Sequence, residues 1–487
     1  MRTRSIAARL LYIAAVTAIV VAVYGRWAYD DPFITYRYAL NLSHGFGLVY
    51  NPGERVLSTT TPLLALILAP AGLLGADLAG AAVWIGAVCL GLGGLALWEL
   101  SRAARAPVAG WVALALYPGF PLALTTLGSE MPLFLALCLG AFAFYAQSRY
   151  RSGVVCAALA TLARPDGLLV ALVLAGVDLL HRRAAWRDRI RLYALYAAIV
   201  APWFLFAWAY FGSPLPATLA AKQAQGGMAI SQRFIPGLAM IAQPYIARGY
   251  FALGLIVAAL GLVQMLRAWR AWAALFAWTG AVVLAYAILG MSRYFWYYAP
   301  LVPAYVALVG LGCQAVAGGL AATPNGSPGG SLTRGSAWRR WAAAGLAAAI
   351  LAGQVVHALD IARQPDSRVR LYEAIGDWIA GHTEPRTTVG ALEVGILGYR
   401  SRRPMVDFAG LLQPDTAAHI RPEHTYDDIA VWAATRYQPD VIVAAEGSLP
   451  KLAAGYLRYY CAPVRRWNGS DYGHPANWVL YACGRTP

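Results

Sequence analysis

Charge is what this sequence has least of. Asp, Glu, Lys and Arg make up 13% of its 487 residues, about half the share of an ordinary soluble domain, while 59% are hydrophobic. A string of water-soluble domains is excluded, and a polytopic membrane protein is implied. Lysine is nearly absent, standing only at Lys222 and Lys451, so the positive charge is almost all arginine, a bias that suggests a GC-rich bacterial genome. Carboxylates are rarer still in the hydrophobic part. Residues 1–358 hold 25 Lys/Arg against 9 Asp/Glu, whereas residues 359–487 hold 14 of each. The net charge of +16 therefore belongs entirely to the membrane part, where it reads as positive-inside topology and not as a nucleic-acid-binding face. No CxxC or His/Cys finger spacing occurs, and the GxG at 45–47 lacks the strand–helix context of a phosphate loop.

Apolar runs of the length needed to cross ~30 Å of hydrocarbon fall near 10–26, 79–100, 107–127, 131–148, 152–164, 167–181, 192–211, 249–266, 271–291, 299–319 and 341–358. Alternating these spans from an inside N-terminus collects 17 Lys/Arg in short segments on one side and 8 on the other, as the positive-inside rule requires. The alternation holds only if 61–75, short and interrupted by Pro62 and Pro70, is an interfacial or re-entrant helix. The expected organisation is a membrane module over 1–358, with a first external loop at 26–78 and a cytoplasmic Pro/Gly/Ser linker at 320–340, followed by an external α/β domain over 359–487. In that domain, 364–381 has helical periodicity, and 387–392, 404–408, 439–445 and 475–483 read as strands. Cys461 and Cys483 fall in it, where a disulfide persists; free buried thiols are the alternative.

Three carboxylates of the membrane part, Glu99, Asp178 and Asp188, sit beside inner-boundary arginines; the other six, Asp30, Asp31, Glu54, Asp77, Glu130 and Asp166, fall on the outer side. Arg37, Arg164, Arg293 and Lys222 share that side. Carboxylates and cations converging on one membrane face suit a reaction on a charged lipid headgroup, although charges gather in loops in any case. The adjacent Asp30 and Asp31, directly after a span and pinned by Pro32, suit either a proton acceptor or a divalent-cation site, and a solvated helix cap is the plain alternative.

The first loop reads DDPFITYRYALNLSHGFGLVYNPGERVLSTTTPL over 30–63. It resembles the GT-C superfamily of membrane glycosyltransferases that use lipid-linked sugars, in the bacterial branch that contains a mycobacterial terminal arabinofuranosyltransferase. LGSEMPLF at 127–134, LARPDG at 162–167, YFGSPLPATLAAK at 210–222 and GILGYRSRRPMVDFAGL at 395–411 are similar to further motifs of that branch, in order. The family's usual stretch after the glycine-rich turn is replaced by LSTTT at 57–61, and Ala217 stands where Asn is common.

The resemblance implies a GT-C-like fold of about 11 transmembrane helices with juxtamembrane helices, and inverting transfer of a sugar from a polyprenyl-phosphate donor to a glycan, lipid or protein acceptor. The reaction would lie at the outer face of a bacterial cytoplasmic (inner) membrane, with the N-terminus inside and the C-terminal domain outside. It implies Asp30 as base, Asp31 as its partner, Glu130 as a second acidic group, and Arg164, Lys222 and Arg293 for the phosphate, with Arg37, Tyr38 and Glu54 among the binding residues. Mg or Mn shared by Asp30 and Asp31 is a lesser implication. The rival expectation is a flippase for lipid-linked glycans, with no transfer chemistry; it is disfavoured because the polar groups cluster at one face instead of mid-membrane.

Overall fold

A computed structural model describes residues 2–181, 185–318 and 335–484. Its membrane part is helical: α1 (Arg2–Tyr24), α2 (Pro32–Ser43), α3 (Pro62–Leu73), α4 (Leu78–Ala103), α5 (Pro107–Leu116), the one-turn α6 (Pro121–Leu124), α7 (Met131–Ala146), α8 (Tyr150–Ala163), α9 (Leu168–His181), α10 (Trp186–Phe211), α11 (Ala217–Gly227), α12 (Phe234–Ile246), α13 (Gly249–Arg267), α14 (Trp269–Ile288), α15 (Val302–Gly318) and α16 (Gly335–Ala362).

Among the described residues, seven helical segments, those of α1, α4, α10, α13, α14, α15 and α16, are long and apolar enough to cross a membrane. Large apolar side chains on them, such as Leu11, Trp208, Ile256 and Ile288, lie fully out on the surface, which is stable only against lipid. The chain is a multi-pass membrane protein. The spans expected at 107–127, 131–148, 152–164 and 167–181 fall on shorter helices of 10 to 16 residues. The first of these breaks into α5 and α6 because Pro118, Gly119 and Pro121 interrupt it. Segment 61–75 forms α3, whose 12 residues reach only ~18 Å, too short to cross. Helices pack through small residues: a Cβ on Gly261 of α13 would strike the backbone of Leu308, and one on Gly312 of α15 would strike Val257. The expected linker at 320–340 falls largely outside the described residues.

Beyond α16, helix α17 (Ser367–His382) is capped by Asp366, whose carboxylate accepts from Arg368 N. It covers a five-stranded sheet in the order β2-β1-β3-β5-β4, built from β1 (Val389–Ala391), β2 (Met405–Asp407), β3 (Val441–Ala445), β4 (Cys461–Trp467) and β5 (Trp478–Cys483). β1 runs parallel to β2 and β3; β3–β5 and β5–β4 are antiparallel. Four strands coincide with expected ones. β4 was not expected: CAPVRRW is mostly exposed and carries Pro463, the pattern of an edge strand and not of a core strand. Helices α18 (Gly395–Ser401), α19 (Pro414–His419) and α20 (Tyr426–Tyr437) complete this part.

Cys461 and Cys483 face each other across the β4–β5 ladder and form a disulfide. It closes a loop of 22 residues, so removing it by Cys461→Ser with Cys483→Ser should cost about 3 kcal/mol on the chain-entropy account. Melting in detergent with and without dithiothreitol checks this. Reductant should lower the wild-type midpoint and leave the double variant unmoved; equal midpoints for both proteins without reductant would show the bond contributes nothing.

Candidate functional site

Pro32 determines what its two acidic neighbours do. Lacking an N–H and fixed in φ, it starts α2 and leaves Asp31 at the N-cap. The Asp31 carboxylate caps no backbone N–H. It instead reaches Lys222 of α11, with Nζ 3.6 Å from Oδ2, and it keeps 35% of its side-chain surface open. Asp30 points the other way. Its two oxygens accept from the backbone N–H groups of Gly395 and Ile396, both at 2.8 Å, at the start of α18. Burial pushes the Asp30 carboxyl well above the usual range; nearby Glu393 pushes in the same direction and the Ile396 and Gly395 N–H groups pull back.

Arg164, in the turn between α8 and α9, organises the second acidic group. It donates to Glu130 at 2.5 Å, to Asp166 at 3.0 Å and to the Tyr286 hydroxyl at 3.2 Å, and Tyr286 in turn donates to Asp166. Lys222 lies 3.8 Å from the ring centre of Tyr294 and 5.8 Å from that of Trp296. Asp31, Glu130, Arg164, Asp166 and Lys222 all line one cavity of about 320 Å³. The lining also includes the apolar Leu168, Leu215 and Leu289, each at least 40% exposed. Charged groups and exposed apolar side chains thus share one cavity, a combination that suits a molecule with a polar head and a hydrocarbon chain.

Other expected site residues lie elsewhere. Asp30 is not in the cavity wall, because both oxygens are committed to the chain at 395–396. Arg37 is 2% exposed and spends its guanidinium on the carbonyls of Tyr50, Gly398 and Arg403, not on Asp30 or Asp31. Tyr38 is fully buried; its hydroxyl donates to Val56 O and accepts from Ser58 N. Glu54 is exposed and accepts from Asn51. Arg293 is exposed with its guanidinium at Met240, next to the backbone bridge between Ser292 and Arg233, and is not among the cavity residues. Among the described residues no group of three or more His, Cys, Asp or Glu side chains is placed to hold a metal. The pair expected to share one does not fit it: Asp30 has no free oxygen and Asp31 faces an ammonium. Residues overlooked in the sequence are the hydroxyl-bearing Thr35, Thr59, Thr61 and Thr218, which also line the cavity.

A family described as a domain of unknown function (DUF8728) matches residues 360–482. Over 224 residues the chain is 30% identical to the terminal beta-(1->2)-arabinofuranosyltransferase of Mycobacterium tuberculosis; the match covers 41% of this chain and 36% of that protein. The chain thus spans about a third of the length of the curated relative it matches. Among solved structures, it is similar to the oligosaccharyltransferase AglB from Archaeoglobus fulgidus in complex with an inhibitory peptide and a dolichol-phosphate (TM-score 0.60, 15% identity, 95% of this chain and 73% of that one). It is also similar to ArnT from Cupriavidus metallidurans bound to undecaprenyl phosphate (TM-score 0.58, 15% identity, 98% and 99%). A third is the arabinofuranosyltransferase AftD from Mycobacteria (TM-score 0.55, 14% identity, 98% and 40%). The chain has the GT-C fold, as its motifs led one to expect.

Proposed function

We propose that this GT-C chain is a glycosyltransferase that moves a sugar from a polyprenyl-phosphate donor to an acceptor hydroxyl at the outer membrane face, with inversion. The observation that carries the reading is the cavity whose lining joins Asp31, Lys222 and the Glu130–Arg164–Asp166 network to exposed apolar side chains. The curated relative and the lipid-phosphate complexes of AglB and ArnT support it.

The chemistry follows from how far each group is already committed. Arg164 serves two carboxylates and a phenol, so its part is to hold Glu130 and Asp166 in place. Lys222 has one loose ion pair and an aromatic face, and among the described residues of the cavity lining it is the cation free to meet a phosphate. A lipid phosphate arriving at Lys222 releases Asp31 from its ion pair. Asp31 then accepts the proton of the acceptor hydroxyl as that oxygen bonds to the anomeric carbon. The bond from that carbon to the phosphate oxygen breaks on the opposite side, and its electron pair leaves with the lipid phosphate beside Lys222.

The test offers purified protein a panel of polyprenyl-phosphate sugars with membrane acceptor extract and measures release of free polyprenyl phosphate. Release from at least one donor is expected. No release from any donor by folded protein, together with movement of a lipid-linked glycan across vesicle membranes, would replace the reading with that of a flippase.

A further inference from the structure

We infer that a cluster of buried threonine hydroxyls at one end of the cavity is the subsite that reads the hydroxyl groups of a neutral sugar ring; this rests on the glycosyl-transfer reading above. The Thr35 hydroxyl lies 3.1 Å from that of Thr59 and 3.0 Å from that of Thr61, and the last two are 3.2 Å apart. The three form a closed triangle, and Thr59 Oγ1 also accepts from the Thr61 N–H at 3.2 Å. A hydroxyl oxygen has two acceptor positions, so Thr35 and Thr61 retain acceptor capacity, and all three residues line the cavity. None of the three is more than 6% exposed.

Thr218 supplies the independent observation. It is 6% exposed, lines the same cavity, and its hydroxyl has no hydrogen-bond partner among the described residues. A buried hydroxyl without a partner is costly to folding, and a χ1 rotation that turns it to the cavity gains a bond only when something is there. The triangle alone is equally a packing device; the hydroxyls of Thr218 and Ser58, unpartnered among the described residues and both on residues of the cavity lining, are what packing leaves unexplained.

The spacing matches a sugar. Asp31 and Thr35 stand four residues apart at the start of α2, and Thr218 and Lys222 four apart on α11, so each helix presents one charge and one hydroxyl on a single face. The charged ends meet in the Asp31–Lys222 pair. The hydroxyl ends then lie about one helical turn away, ~5.4 Å, comparable to the width of a sugar ring. Leu57 O accepts from Ala217 N at 2.8 Å, which ties the threonine stretch to α11. With the anomeric carbon at the ion pair, the ring's remote hydroxyls reach the threonines. No ionic group belongs to this hydroxyl set, so an amino or carboxyl substituent there would be left unpaired, and sugars with free hydroxyls are favoured.

The experiment measures binding of a short-chain polyprenyl phosphate to the full-length protein in detergent, bare and carrying arabinofuranose, mannose, glucose or an amino sugar. The wild type should bind at least one neutral sugar conjugate more tightly than the bare lipid phosphate. Thr218→Val and Thr61→Val should each shrink that gain about tenfold, one hydrogen bond's worth, without changing affinity for the bare lipid. Thr218→Ser should keep the gain, and Thr218→Val should melt no lower than wild type. If the valine variants keep the donor gain but raise KM for a neutral oligosaccharide acceptor, the hydroxyls read the acceptor's ring. A donor gain and an acceptor KM both unchanged, with bare lipid still bound, would overturn the subsite. Failure to bind bare or sugar-bearing lipid phosphate at all would remove the glycosyl-transfer reading, and the subsite with it.

Discussion

Asp31→Asn should lower turnover per folded molecule about a thousandfold, the range expected when a general base is lost. The amide cannot take the acceptor proton, yet it retains the shape of a side chain that caps no helix and leaves 35% of its surface open. Its partner Lys222 is only 9% exposed, so losing the carboxylate also costs some stability, and turnover has to be taken per folded molecule. Asp30→Asn should behave in the opposite way. Its carboxyl accepts two backbone N–H bonds inside the protein. An amide offers one acceptor oxygen and turns its own N–H₂ toward the second donor, so a buried N–H loses its partner at about 1–3 kcal/mol. The expected phenotype is a lower melting temperature with turnover per folded molecule within about tenfold of wild type. Release of polyprenyl phosphate, normalised to folded protein, separates the two. An inactive but fully stable Asp30→Asn beside an active Asp31→Asn would return the base to Asp30.

The fate of this pair shows where the sequence was legible and where it was not. Pro32 announces a helix start, and with it an acidic pair at a helix N-terminus, without any structure. Which of the two carboxylates faces the cavity depends on a partner 365 positions away, the N–H groups at 395–396. Nothing local to residues 29–33 encodes that. Long apolar runs were legible because hydrocarbon thickness dictates their length. Four of five strands were legible because they are buried apolar stretches, and the exposed β4 was not. Arg293 is the reverse case. Its neighbours RYFWYY mark a membrane-boundary motif, but only the structure places its guanidinium at Met240 and outside the cavity lining. Thr218 carried no signal in the sequence, since a threonine four residues before a lysine is ordinary on a helix. Its meaning comes from lacking a partner.

The glycines of GILG at 395–398 become intelligible in the same way. A Cβ at Gly395 would collide with the backbone of Asp30, and one at Gly398 with the hydroxyl of Tyr50. They are there because the first loop and the tail approach at backbone distance. Asn51 pairs twice with the Met405 backbone, at 3.0 and 2.9 Å, and Tyr50 donates to Val394 O at 2.5 Å. Much of what the first-loop motif encodes is therefore a socket for the tail, with Asp31 at the edge that lines the cavity.

Arg37 is the centre of that socket, and Arg37→Ala should be the most destabilising single change in it. The side chain donates to Tyr50 O at 2.8 Å, to Arg403 O at 2.7 Å and to Gly398 O, and its guanidinium lies 4.5 Å from the ring centre of Tyr50. Alanine leaves Arg403 O without its donor, at about 1–3 kcal/mol, and opens a cavity, while Tyr50 O keeps Asn41 and Gly398 O keeps the Arg402 N–H; a loss of about 3 kcal/mol is expected. Arg37→Lys should recover little, because one ammonium on a flexible stem cannot reproduce a planar fork aimed at three acceptors. Two readouts separate this from a substrate contact. Melting in detergent should fall for both variants, and limited proteolysis should cut the chain faster between α16 and β1, where the tail joins the membrane part. Were Arg37 a substrate contact instead, alanine would raise KM or lower kcat while melting and cleavage stayed as in wild type. The geometry favours the first outcome because no atom of Arg37 belongs to the cavity wall, and a charge 2% exposed among carbonyls has no route to a ligand.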